Sequence, residues 1–148
     1  MFKKLLLPVD LQDDTGSGDE AAELAVGLAR AHGAAIHVLS VFPGVGLPWV
    51  STYFPADSLQ RARDDLRRRL TDWAGDHIPA EIPCTVDIAE GAPHRCILDE
   101  IRHVGADLVV MPSHDETGAE RVFLGSVAAR VVERAHCSVL VVRHPRRG

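Results

Sequence analysis

Asp107-Leu-Val-Val-Met-Pro-Ser-His-Asp-Glu-Thr-Gly-Ala-Glu-Arg-Val-Phe-Leu-Gly-Ser-Val-Ala-Ala-Arg-Val-Val-Glu-Arg-Ala-His-Cys-Ser-Val-Leu-Val-Val-Arg143 is the stretch on which the fold turns. Residues 108–111 form an uninterrupted apolar run, the composition of a strand buried on both faces. A polar segment follows. Gly125 and Ser126 then open a helix with Val127, Ala128, Val131, Val132 and Ala135 at helical spacing on its inward side. A second apolar run, residues 139–142, closes the unit. Strand, loop, helix, strand predicts a parallel crossover, with the loop at the carboxyl end of the first strand. Ligands of open α/β sheets bind at such ends, and helix N-termini hold anions.

The flanking chain repeats this pattern. Residues 5–9 are a second apolar run, ended by Asp10. Ser17 and Glu20 have capping-box spacing ahead of a helix carrying Ala21, Leu24, Ala25, Leu28 and Ala29, and Gly33 suits its end. Residues 35–42 read as the next strand. Segment 43–55 holds three prolines, two glycines, Trp49, Tyr53 and Phe54, so it reads as a long loop. Asp57 or Ser58 can cap the helix that follows, with Leu59, Ala62, Leu66, Leu70 and Trp73 inward. Its arginines alternate with aspartates, the pattern of a solvated face. Residues 85–89 are a strand. Pro93 fits the first position of a helix whose core face is Ile97, Ile101 and Val104 and whose end is Gly105. Five strands alternating with four helices predict a doubly wound α/β sheet in one domain, residues 1–148.

Composition narrows the function. A chain that is 46% hydrophobic and 25% charged is an ordinary globular one, and a net charge of −5 carries no nucleic-acid signature. Arg143, His144, Arg146 and Arg147 read as a solvated basic tail. The run behind Lys3-Lys4 is too short for a signal peptide, and no run can span a bilayer, so no membrane contact and a cytoplasmic location are expected. Cys84, Cys96 and Cys137 show neither disulfide nor zinc spacing and read as buried free thiols.

Enzyme motifs are missing. The chain has no G-x-x-x-x-G-K-[ST], no G-x-G-x-x-G after the first strand, no G-x-S-x-G and no H-E-x-x-H. His94 and His114 sit in expected loops and read as surface or hydrogen-bonding residues. With neither a nucleophile–base pair nor a metal cluster in view, no catalysis and no bound metal are expected. What remains is the loop of residues 112–126. Ser113 and His114 follow a buried strand, Gly125 permits close backbone approach, and Ser126 can cap the helix. Asp10 belongs beside the same strand, where it could meet a sugar hydroxyl or a metal. Two readings stand at this level: a ligand site, or a plain helix start beside a loop cap.

Taken together, Lys4-Leu-Leu-Leu-Pro-Val-Asp10, His37-Val38, Glu90-Gly-Ala-Pro-His94, Ala106-Asp-Leu-Val-Val-Met111 and Leu124-Gly-Ser126 running into Cys137-Ser-Val-Leu-Val-Val-Arg143 resemble the universal stress protein family. The resemblance covers essentially the whole chain. It implies a Rossmann-like parallel sheet of order 3-2-1-4-5 and a homodimer through the final strand. A tetramer through segment 43–55 is a further expectation. ATP-binding members carry G-x-x-G-x9-G-[ST] after strand four. Gly125 and Ser126 match it, whereas Pro112 and Asp115 replace the first two glycines. The Ser-His pair between them resembles the enterobacterial F and G branch, whose Arg-Pro is here Asp115-Glu116. Two like charges about 5 Å apart at an effective dielectric near 20 repel by roughly 3 kcal/mol. The resemblance implies a nucleotide site of Pro8, Val9, Asp10, Val38, Met111, Ser113, His114, Arg121, Gly125, Ser126 and Val127. In it the Val38 backbone reads the adenine edge, Asp10 the ribose, and Ser113, His114, Gly125 and Ser126 the phosphates. ATP would bind weakly or with Mg²⁺, as a regulatory ligand in a stress response. The alternative is a dimeric protein-interaction module that has lost the nucleotide.

Overall fold

A computed structural model describes residues 1–13, 15–42, 56–113 and 124–143. Among them the chain runs β1 (Lys4–Pro8), α1 (Ser17–His32), β2 (Ala35–Phe42), α2 (Ala56–His77), β3 (Cys84–Glu90), α3 (Pro93–Val104), β4 (Leu108–Pro112), α4 (Ser126–Arg134) and β5 (Ser138–Val142). All strand pairs are parallel, in the order β3-β2-β1-β4-β5. The expected sheet order is what the structure has, and among the described residues so is the count of four helices. Segment 43–55, His114, Asp115, Glu116, Arg121 and the tail from His144 lie outside the described residues.

The continuous apolar strands are central, as two-sided burial requires. Leu5, Leu6 and Leu7 are all fully buried, with Leu5 and Leu7 facing one core and Leu6 the other. Ala21, Ala25 and Ala29 of α1 and Leu70 and Ala74 of α2 cover the first face. Ile97 and Ile101 of α3 and Ala128 and Val131 of α4 cover the second. Two inward assignments fail. Leu24 and Val132 are exposed, at 47% and 45%. Ala22 and Val26 are buried in α1 instead. In α1 the face turned to the sheet is made of alanines with Val26, and in α4 it is made of Ala128 and Val131, so Leu24 and Val132 fall outside it.

Gly33 and Gly105 end α1 and α3 in the left-handed conformation, with their N–H groups donating to Ala29 O and Ile101 O. Pro93 opens α3 as expected. The N-caps differ from expectation. Gly16, at φ 83°, caps α1, and Ser17 lies inside the helix. Asp57 and Ser58 fall inside the first turn of α2. Gly125 caps α4 with no side-chain hydrogen bond, so Ser126 is a helical residue and not the cap. Of the thiols only Cys96 is buried; Cys84 is exposed and Cys137 half-buried.

Asp107 pins the first strand to the fourth. Its Oδ2 accepts the Lys3 N–H at 2.8 Å and its Oδ1 the Lys4 N–H at 3.1 Å. Its own N–H donates to Lys4 O at 3.0 Å. Asp107→Ala removes two charge-assisted bonds and is expected to cost about 2 kcal/mol. Urea unfolding should show a lower midpoint at unchanged slope.

Candidate functional site

The carboxyl ends of β1 and β4 separate. Their ladder comprises Leu5↔Leu108 and Leu6↔Val109 and stops there, although each strand runs on. Past that point each follows its outer neighbour. β1 stays paired with β2 through Pro8↔Leu39, and the Val9 N–H donates to Leu39 O at 2.8 Å. β4 stays paired with β5 through Pro112↔Val142, and the Ser113 N–H donates to Val142 O at 2.9 Å. A crevice therefore opens between Pro8-Val9-Asp10 and Met111-Pro112-Ser113. It is the topological switch point, where the chain winds outward in both directions.

Asp10 is exposed at the mouth. Its Oδ1 accepts the Gln12 N–H at 2.9 Å, and its carbonyl accepts the Asp13 N–H at 3.2 Å. The loop-cap reading is thus true of one carboxylate oxygen. Behind it, Asp13 accepts the Thr15 N–H at 2.9 Å and the Thr15 hydroxyl at 2.7 Å, and takes the Ser17 hydroxyl. That lattice holds the β1–α1 loop against the start of α1. The D-x-T-x-S spacing of Asp13, Thr15 and Ser17 is the sequence signal of this lattice.

The second rim is the start of α4. Ala129 N–H donates to Gly125 O at 2.9 Å, the first bond of the helix. The N–H groups of the preceding residues, Ser126 and Val127 among them, have no partner within the helix and point along its positive end. Ser126 is exposed and Val127 half-buried. Arg130 and Arg134 follow on α4, and the Arg130 Nη1 lies 3.5 Å from His94 Nδ1. Partial burial together with Arg130, Arg134 and Arg95 pushes the His94 imidazole down. His94 belongs to the first turn of α3, not to a loop.

The structure brings Pro8, Val9, Asp10, Met111, Ser113, Gly125, Ser126 and Val127 to one end of the sheet. Val9 and Met111 are buried there, under the two helical layers. Val38 does not join them. It pairs with Leu7 and Val86 in mid-strand, and its side chain is fully enclosed in the core. Since Leu39 O faces β1, alternation turns the Val38 N–H and C=O to β3. The same alternation turns Val41 toward β1 again, beyond where β1 ends. Its N–H and C=O point past the end of β1, so Val41 and not Val38 is the β2 residue whose backbone turns to this end of the sheet. Val38 is the one expected site residue of the described strands that lies away from it, in mid-strand.

An open groove of about 480 Å³ between α1 and α2 is lined mainly by polar residues, Asp19, Glu23, Arg30, Asp76 and His77 among them. There Arg30 pairs with Glu81 and His77 with Asp19. Across α2, Arg63 and Arg67 reach Glu90 and Asp87 of β3, so part of the charged face ties helix to sheet edge. No helix among the described residues is long and apolar enough to cross a membrane.

Residues 1–143 match the universal stress protein family. The chain is 34% identical over 155 residues to universal stress protein MJ0531 of Methanocaldococcus jannaschii, spanning 99% of this chain and 85% of that one. Its fold is similar to universal stress protein UspA from Lactobacillus plantarum, with a TM-score of 0.69 at 27% identity over 96% of this chain and 98% of that one. It is also similar in fold to the universal stress protein from Archaeoglobus fulgidus in complex with dAMP. That match has a TM-score of 0.64 at 19% identity over 95% and 97% of the two chains. The chain belongs to the universal stress protein family.

Proposed function

We propose that the crevice between β1 and β4 binds an adenine nucleotide as a regulatory ligand in a stress response. The observation that carries this reading is the parting of β1 and β4 beyond Leu6↔Val109, with Asp10 on one rim and the α4 N-terminus on the other. Asp10 suits a ribose hydroxyl, the Val41 backbone an adenine edge, and the N–H groups after Gly125 a phosphate. A family relative with this fold is described in complex with dAMP, an adenine mononucleotide. Asp115 and Glu116 lie in the same loop by sequence, in the altered Ser-His setting that resembles the F and G branch. They disfavour the extra charge of a triphosphate. AMP and ADP are therefore expected to bind more tightly than ATP in the absence of Mg²⁺, and Mg²⁺ to narrow the gap. Calorimetric titration with the three nucleotides tests this; no heat with any of them removes the reading.

The ligand is not a substrate in this account. ATP turnover is expected to stay at background after purification, and a robust rate lost in His114→Ala would overturn that. The chain acts in the cytoplasm as a homodimer through β5. Ser113 N–H meets Val142 O, so alternation points the Val139 and Val141 N–H and C=O groups away from β4, toward an open sheet edge. Leu140 is exposed on that strand. Val141→Pro removes one outward donor and keeps the β4 ladder, so it should yield folded monomer in light scattering. A dimer unchanged by Val141→Pro would place the contact elsewhere. If no adenylate binds while the dimer persists, an interaction module takes over as the function.

A further inference from the structure

On the α3 side of the sheet lies a buried polar group that the nucleotide reading does not use. His37 of β2 and Glu100 of α3 are each 6% exposed, and Asp87 of β3 is half-buried beside them. His37 is level with Leu6, well inside the sheet. The His37 Nε2 and Glu100 Oε1 atoms stand 3.3 Å apart, and neither makes a hydrogen bond. Buried polar atoms without partners are costly, so a pair of them facing each other calls for a third body.

The geometry identifies it. An imidazolium–carboxylate hydrogen bond would close to about 2.7–2.9 Å in line. Two ligands on a tetrahedral metal at about 2.0–2.1 Å stand about 3.3 Å apart, with their lone pairs converging on the ion rather than on each other. Among the described residues, one nitrogen of His37 and one oxygen each of Asp87 and Glu100 all lie within 4.8 Å of one another. The other ring nitrogen, His37 Nδ1, is 2.6 Å from Thr85 Oγ1, the outer contact that orients a metal-binding imidazole. Asp87, at the edge strand, gives an ion a way in. Its Oδ1 accepts the Ile88 N–H, and its link to Arg67 at 3.6 Å is loose and exposed.

We infer that His37, Asp87 and Glu100 form a site for a divalent transition-metal ion, zinc being the best-matched probe, with the fourth position open to water. The ion clamps β2, β3 and α3 together. Two carboxylates and one neutral imidazole balance a double positive charge, against the opposing charge of Lys4 nearby. Burial pushes the His37 imidazole down, toward the neutral form that ligates a metal, and burial together with the neighbouring Asp87 carboxylate pushes the Glu100 carboxyl up, so that a bound cation would take the place of its proton. Sequence spacing hides the site, because its ligands come from three elements.

The test is zinc titration of the full chain, stripped with chelator, followed by calorimetry, with cobalt(II) absorption as a readout of coordination. One ion per chain is expected, with the spectrum of a four-coordinate site. Asp87→Asn and Glu100→Gln should each weaken binding at least about tenfold, and Thr85→Val by about 10–100-fold. Glu100→Gln should melt no lower than the wild type in chelator, since its amide can donate to His37. Zinc affinity unchanged in Asp87→Asn and Glu100→Gln, a six-coordinate cobalt spectrum, or no binding would each overturn the inference.

Discussion

Gly125→Val is expected to abolish adenylate binding and leave the protein folded. The backbone at Gly125 has φ −55° and ψ 154°, a conformation that valine adopts without strain. The Ala129 N–H to Gly125 O bond that starts α4 uses only backbone and survives. The fold therefore does not need glycine here; a close-approaching phosphate does. A branched side chain beside the Ser126 and Val127 N–H groups stands where that phosphate must come. The expected loss exceeds about 100-fold, roughly 2.7 kcal/mol, enough to erase the calorimetric signal. Valine is a poorer cap than glycine, so a fall in Tm of a few degrees is expected. Full affinity in a folded Gly125→Val would move the phosphates away from α4.

Asp115→Gly should act the other way and tighten ATP by about 1–3 kcal/mol, the range for removing one nearby like charge. By sequence Asp115 lies in the loop that leads from β4 to α4, and its charge opposes that of a phosphate. Repulsion grows with phosphate charge, so the gain should be largest for ATP, smaller for ADP and smallest for AMP. It should shrink as salt rises if the side chain is exposed. Equal gains for all three nucleotides would mean backbone freedom, not charge, is the cause. No gain beside tight wild-type ATP binding would mean the carboxylate points away.

The sheet was legible because its signal is local. Leu5-Leu-Leu and Leu108-Val-Val-Met have no polar interruption, and only a two-sided strand takes such a run. Gly33, Pro93 and Gly105 punctuated the helices for reasons intrinsic to their own backbones. The N-caps of α1 and α4 are not legible, because serine satisfies the capping pattern whether or not it occupies that position. Ser17 instead joins the Asp13 lattice. Nor is the exposure of Leu24 and Val132, because helical spacing fixes a stripe but not which of its edges meets the sheet. The crevice was legible in outline, since strand order locates the switch point. Its β2 contribution was not, because the choice between Val38 and Val41 depends on where β1 stops. Asp107 reaching Lys3 and Lys4, and His37 meeting Glu100, are long-range contacts that no spacing rule reaches.

Amide NMR of the labelled chain titrated with AMP decides whether the parted ends of β1 and β4 hold the nucleotide. Saturable shifts are expected at Val9, Asp10, Val41, Ser113, Ser126 and Val127, with the amides of α2 and of the middle of α3 unmoved. Shifts confined to the α1–α2 groove, or none at saturating AMP, would contradict that placement.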